Sequence, residues 1–155
     1  MTNNNLEIVE LTSDQAALVS AKLTAEKNDY IKHFTPFDFS ESTIQKILTN
    51  KKLDKYFGLF VSQELAGFYM LRGFDEGFQV PSYGVWISSE YKNKSLSTLT
   101  LYHAFSFCKL NSIKSLMLKV HPDNVIAKNL YEKMGFKKTG TDSKNKNLIY
   151  YKEIL

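Results

Sequence analysis

The sequence predicts one α/β (α+β) domain, a central mixed and mostly antiparallel sheet of about seven strands flanked by four helices. Three observations point there. The chain has 155 residues, 43% hydrophobic and 14% aromatic, which suits one packed core and leaves little room for a second. Apolar residues alternate with a period of two in some segments and recur at three and four in others, so strands and helices both form. No Pro/Gly/Ser-rich linker, internal repeat or low-complexity tract divides the chain, so residues 1–155 read as a single domain.

The elements follow in order. Leu6, Ile8 and Leu11 mark a short first strand. Ser13 or Asp14 caps a helix running toward Tyr30, with Ala17, Leu18, Ala21 and Ala25 on one face. The aromatic loop His33-Phe34-Thr35-Pro36-Phe37 is kept out of helix by its proline. Ser40 caps a second helix through Ile44, Ile47 and Leu48, ending near Asn50. Residues 56–62 and 65–72 form two strands that turn at Gln63 and Glu64. A glycine-flanked acidic excursion over 73–81 leads to a strand at 83–87, rich in aromatic and β-branched residues.

A polar and basic stretch over 88–97 then opens a helix carrying Leu101, Ala104, Phe105 and Cys108 at i, i+3, i+4 and i+7, with Asn111 as its left-handed stop. Residues 115–120 alternate as a strand, and His121-Pro122 turns the chain. Asp123 or Asn124 caps a last helix with Ala127, Leu130, Tyr131 and Met134 inward, and Gly135 takes the positive φ after it. Residues 136–139 and 147–155 close as antiparallel strands around a polar turn at 141–146. The resulting order is β-α-α-β-β-β-α-β-α-β-β.

Composition narrows the function classes. The start, Met1 to Asn5, is polar and lacks the apolar stretch of a secretory signal. No apolar run nears the roughly 20 residues of a membrane span, so no membrane partner is expected. Cys108 is the only cysteine, which rules out an intramolecular disulfide, fits a reducing, cytoplasmic setting and reads as a small buried hydrophobe. The net charge of +4 hides an asymmetry: residues 1–91 carry 8 Lys+Arg against 12 Asp+Glu, and residues 92–155 carry 12 lysines against 4 acids. A basic half suits a phosphorylated cofactor, nucleic acid or an acidic membrane, and equally a solvated lysine surface. Only Arg72 offers a guanidinium and no nucleic-acid module is recognisable, so nucleic acid is not expected as a partner. Three scattered histidines and one cysteine lack zinc-ligand spacing, so no metal is expected, and no nucleophile elbow, Walker loop or dinucleotide glycine motif occurs.

A strand, a basic polar loop and then a helix make an anion-binding arrangement, because the first-turn amides are unpaired and carry partial positive charge. The run Tyr91-Lys92-Asn93-Lys94-Ser95-Leu96-Ser97-Thr98 places two lysines just before such a turn, with Asn93, Ser95 and Ser97 small enough for close approach. On those residues alone, a capped surface helix with solvated lysines accounts for them as well.

Residues 124–136 carry the pattern N-x-x-A-x-x-L-Y-x-K-x-G-F, through Asn124, Ala127, Leu130, Tyr131, Lys133, Gly135 and Phe136. This pattern resembles the helix-and-turn segment of the GNAT superfamily of acetyl-CoA-dependent N-acetyltransferases. The upstream loop is similar to that superfamily's pyrophosphate loop, with Lys92 at the usual Arg/Gln position and Ser95 and Ser97 at the two small positions. The resemblance implies acetyl-CoA as cosubstrate and a strand ending at Ile87 that splays from the strand over 115–120. The pantetheine arm then lies in that gap, bonded to backbone near Trp86, Ile87 and Ser89. Around the diphosphate stand Lys92, Asn93, Lys94, Ser95, Leu96, Ser97 and Thr98, with Asn124 as helix cap or cofactor-side partner. It also implies Tyr131 as the general acid for the departing thiolate, a role open to a phenol with a pKa of about 10. Outside that motif Tyr131 reads as a core aromatic on the stripe of Ala127 and Leu130.

The implied activity is acetyl transfer from acetyl-CoA to a primary amine on a small molecule, ahead of a protein or peptide N-terminus. The alternative is a non-catalytic GNAT-fold CoA-binding or interaction module, since the loop lacks both family glycines. The acidic first part of the chain suits a cationic amine; Glu76 is a candidate base, and Asp75, His33 and Phe34 are candidate acceptor-site residues, each with a solvated-surface reading beside it. His103 is expected on a helix surface and His121 in a turn, and a homodimer is left open.

Overall fold

In the computed structural model, which describes residues 3–155, the chain runs through β1 (Leu6–Glu10), α1 (Ala16–Thr24), α2 (Asn28–Ile31), α3 (Glu41–Asn50), β2 (Lys55–Val61), β3 (Glu64–Arg72), β4 (Ser82–Ile87), α4 (Leu96–Leu110), β5 (Ser115–Val120), α5 (Val125–Lys133), β6 (Lys137–Thr141) and β7 (Leu148–Glu153). Met1 and Thr2, the first residues of the polar start, lie outside the described residues. The strands form one sheet in the order β1-β2-β3-β4-β5-β7-β6. Every neighbouring pair is antiparallel except β4 and β5. The expected strand count and mixed sheet are thus present.

Burial explains the layering. β3 is a near-continuous apolar run, as a central strand covered on both faces must be. Phe68 and Met70 join Leu11, Val19, Leu23, Ile44 and Leu48 under α1 and α3. Tyr69 and Leu71 point the other way and join Tyr83, Leu101, Leu116, Leu118 and Tyr150 under α4 and α5. Leu101 and Leu116 are fully buried, and each stabilises the fold by about 1.5–3 kcal/mol. Cys108 packs in the same layer as a small apolar residue, and burial pushes its thiol up to about 11. Among the described residues no helix is long and apolar enough to cross a membrane.

Local chemistry sets the boundaries, and some differ from expectation. The helix expected over 13–30 breaks: α1 ends at Thr24, Lys27 is extended (ψ 142°), and α2 is a separate four-residue turn. This makes five helices where four were expected. The β2–β3 turn falls on Ser62 and Gln63, both at positive φ, as a two-residue hairpin requires. Asn111 is not left-handed (φ −107°); that conformation falls to Ser112 (φ 57°). Gly135 does take positive φ (94°), and a Cβ there would sit 2.7 Å from the Lys152 ammonium nitrogen. His103, expected on the helix surface, turns inward instead, where its Nδ1 shares a short hydrogen bond with the buried Tyr69 hydroxyl and burial lowers its pKa.

The close seating of β4 on β3 depends on one glycine. A Cβ on Gly67 would lie 2.4 Å from the Trp86 carbonyl oxygen and 3.0 Å from the Ile87 Cα. Gly67→Ala is expected to push β4 outward and destabilise the fold by about 1–3 kcal/mol, measured by urea unfolding.

Candidate active site

β4 and β5 pair at only two positions, Ser82 with Met117 and Tyr83 with Leu118. Each is held much further on its other edge, β4 by β3 from Ser82 to Ile87 and β5 by β7 from Ser115 to Val120. Beyond Tyr83 the two strands diverge and a gap opens between them, closed at Tyr83 and open at Ile87. Peptide groups along a strand face its two edges alternately. The Ser88 amide donates to Ala66 on the β3 side, and the Pro81 carbonyl accepts from Met117 on the β5 side. The peptide groups of Val85 and Ile87 therefore face the gap and those of Trp86 face β3. Of the backbone contacts expected near Trp86, Ile87 and Ser89, the register leaves Ile87 in place and substitutes Val85 for Trp86. The Trp86 side chain is buried on the α1/α3 face, its indole N–H donating to Glu26 (3.0 Å).

At the open end, Ser89–Tyr91 form a 3-10 turn, Lys92 is extended, and Asn93 (φ 62°) and Ser95 (φ 59°, ψ 23°) are left-handed. Ser95 is the N-cap residue of α4, yet its side chain caps no amide. The amides of Leu96, Ser97 and Thr98 thus open a 15-residue helix without a side-chain cap, where the helix dipole favours an anion. Lys92 and Lys94 flank this turn and have no carboxylate partner among the described residues. Tyr91 anchors the loop by donating its hydroxyl to Glu64 (2.8 Å), and Leu96 packs against Leu59 and Ala66.

At the closed end lies Tyr131, the one buried residue of α5. Asn124 starts that helix, its side-chain oxygen accepting from the Ala127 amide at 3.4 Å. The Tyr131 ring meets Tyr83 edge-on at 6.3 Å and Phe136 at 5.9 Å. The Tyr83 hydroxyl is committed to Thr100 (2.9 Å). The Tyr131 hydroxyl has no such partner among the described residues, and no wholly buried polar side-chain atom there is left unsatisfied, so its oxygen keeps a small contact with solvent. Burial raises its pKa, which keeps the phenol protonated.

The acceptor-side candidates divide. Asp75 is tied to the amides of Lys52 (3.0 Å) and Leu53 (2.7 Å), and those bonds lower its pKa; Glu76 is exposed on the neighbouring turn. The Asp75 carboxylate is thus committed to the loop after α3, and no hydrogen bond or ion pair among the described residues joins either carboxylate to Tyr131 or to residues 92–98. Phe34 packs edge-on against Phe68 as part of the core (5.7 Å). His33 does reach the gap, stacking on His121 at 4.0 Å.

A model of the acetyltransferase (GNAT) family matches residues 23–136. The chain belongs to the GNAT acetyltransferase family. Solved structures agree on the fold. One is a GNAT acetyltransferase of Streptococcus pneumoniae (22% identity, TM-score 0.77, covering 97% of this chain and 100% of that one). A second is the PaiA N-acetyltransferase of Thermoplasma acidophilum in complex with coenzyme A (21%, 0.73, 96% and 99%). A third is the spermidine N-acetyltransferase of Vibrio cholerae in complex with CoA and spermine (15%, 0.77, 96% and 95%). No curated protein matches by sequence.

Within this GNAT domain the sequence left three gap residues unassigned. Glu26 accepts from the Ser89 amide (3.0 Å) and hydroxyl (2.6 Å) as well as from Trp86, so the Ser89 amide already has a partner. Tyr30 donates to the Ile87 carbonyl oxygen (2.6 Å), and His121 stacks on His33. These contacts span 57 to 88 residues of sequence, so periodicity and capping signals carry no trace of them.

Serine at the left-handed N-cap of α4 is strained by roughly 1–2 kcal/mol, which glycine would relieve at some loss to unfolded-state freedom. Ser95→Gly is expected to stabilise the GNAT domain by about 1 kcal/mol, read as a melting point raised by about 2–4 °C.

Proposed function

We propose that the chain transfers an acetyl group from acetyl-CoA to a primary amine, using the gap between β4 and β5 as its cofactor site. One observation carries this reading. β4 runs from Tyr83, whose ring packs against Tyr131, to Ile87, which leads into the uncapped start of α4, and beyond Tyr83 it has no ladder partner on its β5 side. A thioester tethered to a diphosphate needs that combination: an anion site at one end and a proton donor for sulfur at the other.

In this reading the amides of Leu96, Ser97 and Thr98, with Lys92, Asn93, Lys94 and Ser95, hold the diphosphate. Val85 and Ile87 bond the pantetheine amides, and the Asn124 amide group is available on the β5 side. The attacking amine nitrogen forms a bond to the thioester carbon, the carbon–sulfur bond breaks, and Tyr131 gives its proton to the leaving sulfur. The amine's own proton leaves to water, since Asp75 is already bonded to the Lys52 and Leu53 amides and no side chain is assigned as base. The spermidine enzyme among the structural neighbours supports an acceptor of the small cationic amine class, and the acidic first part of the chain agrees with it. The buried single thiol fits a cytoplasmic setting.

Acetyl-CoA is expected to raise the melting point, and an amine panel to release free CoA thiol; a thermal shift without thiol release would mark a non-catalytic CoA-binding member. Tyr131→Phe should lower kcat by about 100-fold or more while CoA affinity in calorimetry stays near that of the unaltered chain. Because burial raises the Tyr131 pKa, the acid form is lost only above the ordinary value of about 10, so the pH–rate profile should show no falling limb from this residue below that pH. Lys92→Glu with Lys94→Glu should weaken CoA binding at least about tenfold at low salt, and less at high salt, measured by calorimetry.

A further inference from the structure

The rims of the gap end at Ile87 on β4 and at His121 just past β5. Tyr83 stands opposite Leu118, so three residues further along these parallel strands Trp86 is level with His121. Residues 26–33 cross between the two rims. On the β4 side Glu26 takes three hydrogen bonds from Trp86 and Ser89, and Tyr30 donates to the Ile87 carbonyl. On the β5 side the contact is the face-to-face stack of His33 on His121, with the planes 20° apart. Between these anchors Ile31 is seated on the core beneath α1 and α3, as is Phe34 just beyond them. The segment is thus tied firmly to one rim and by a single ring stack to the other.

We propose that Tyr30, His33 and His121 are positioning residues that clasp residues 26–33 across the gap, opening at the histidine end to admit acetyl-CoA and closing over its pantetheine arm. This role rests on the acetyl-CoA reading above. Across the stack His33 faces His121 and Asp123, with Lys32 beside it on its own segment. Burial, His121 and Lys32 lower the His33 pKa, against Asp123, which raises it. The closed clasp therefore binds fewer protons than the open one. It is favoured above the free-histidine value of about 6.5 and weakens as pH falls below it.

Trp86 is the chain's single tryptophan and its indole is bonded to the segment through Glu26, so its emission reports the clasp without any cofactor. Titrating the free protein from pH 8 to pH 5 is expected to give an emission transition below about 6.5. His33→Phe keeps a flat ring without the charge and should abolish that transition; a transition unchanged in this variant overturns the proposal. Release of desulfo-CoA, followed by stopped flow at pH 8, should be about tenfold faster in Tyr30→Phe and in His33→Ala than in the unaltered chain and in His33→Phe. Equal release rates in all four overturn the clasp while leaving the acetyltransferase reading intact. Failure of the unaltered chain to bind desulfo-CoA overturns that reading, and with it the clasp's role, whatever the emission shows. Tyr30 is 40% exposed, and its loss of one hydroxyl leaves folding unchallenged should His33→Ala fail to fold.

Discussion

The interruption of pairing between β4 and β5 after two residues is the constraint on which the rest of the site depends. It does not arise from slack. β4 is bonded to β3 as far as Ile87, with Gly67 letting the two backbones approach, and β5 is bonded to β7 as far as Val120. Each strand is fixed along its outer edge, and the ordinary twist between neighbouring strands carries the inner edges apart. The consequence is a set of peptide groups at Val85 and Ile87 that the sheet cannot satisfy. Unpaired backbone groups in a folded protein need partners. The Tyr30 hydroxyl supplies one at the Ile87 carbonyl, and the others are available to a ligand running along the strand.

The two ends of this gap have opposite electrostatic character, and that follows from which residues line them. At the open end the helix start and two lysines without a carboxylate partner among the described residues present positive charge to solvent. At the closed end the surroundings are aromatic and apolar, and their low polarity keeps the Tyr131 phenol neutral. Tyr83 and Tyr131 pack edge to face within one cluster, yet they differ chemically because Thr100 takes the Tyr83 hydroxyl and, among the described residues, none takes that of Tyr131. That difference is what sets Tyr131 apart from Tyr83 as the proton donor in the proposed reaction.

What the sequence revealed divides along the range of the interactions involved. Strand periodicity, the Ser40 cap and the positive φ of Gly135 are local, and each appears where expected. The Asn124-to-Phe136 pattern is local too, and the helix it marks forms with Asn124 at its cap and Tyr131 inward. Failures begin where a residue's partner lies far along the chain. Trp86 sits beside Ile87 in sequence, but the register with β3 turns its peptide groups away from the gap. His103 occupies a helix position that looks exposed until Phe57 and Tyr69 arrive from two other strands. Asp75 looked free as an acceptor-side carboxylate because its amide partners, Lys52 and Leu53, come from the loop after α3. The break between α1 and α2 has the same origin: Glu26 is drawn to Trp86 and Ser89 some 60 residues on.

Serine in place of glycine at the head of α4 shows how a departure from a family pattern can be weighed physically. Glycine at such a position serves two ends, a left-handed backbone and room for a phosphate to approach. Ser95 adopts the left-handed conformation, so the first requirement is met at the expense of strain. Its hydroxyl does not turn back to cap the helix, which is what serine at an N-cap ordinarily does. A capped start would have occupied an amide that an anion needs. The left-handed backbone, unlike the extended one of an ordinary N-cap, is what keeps the hydroxyl from that role. The substitution therefore acts on the stability of the turn, and the donors at the helix start keep their availability.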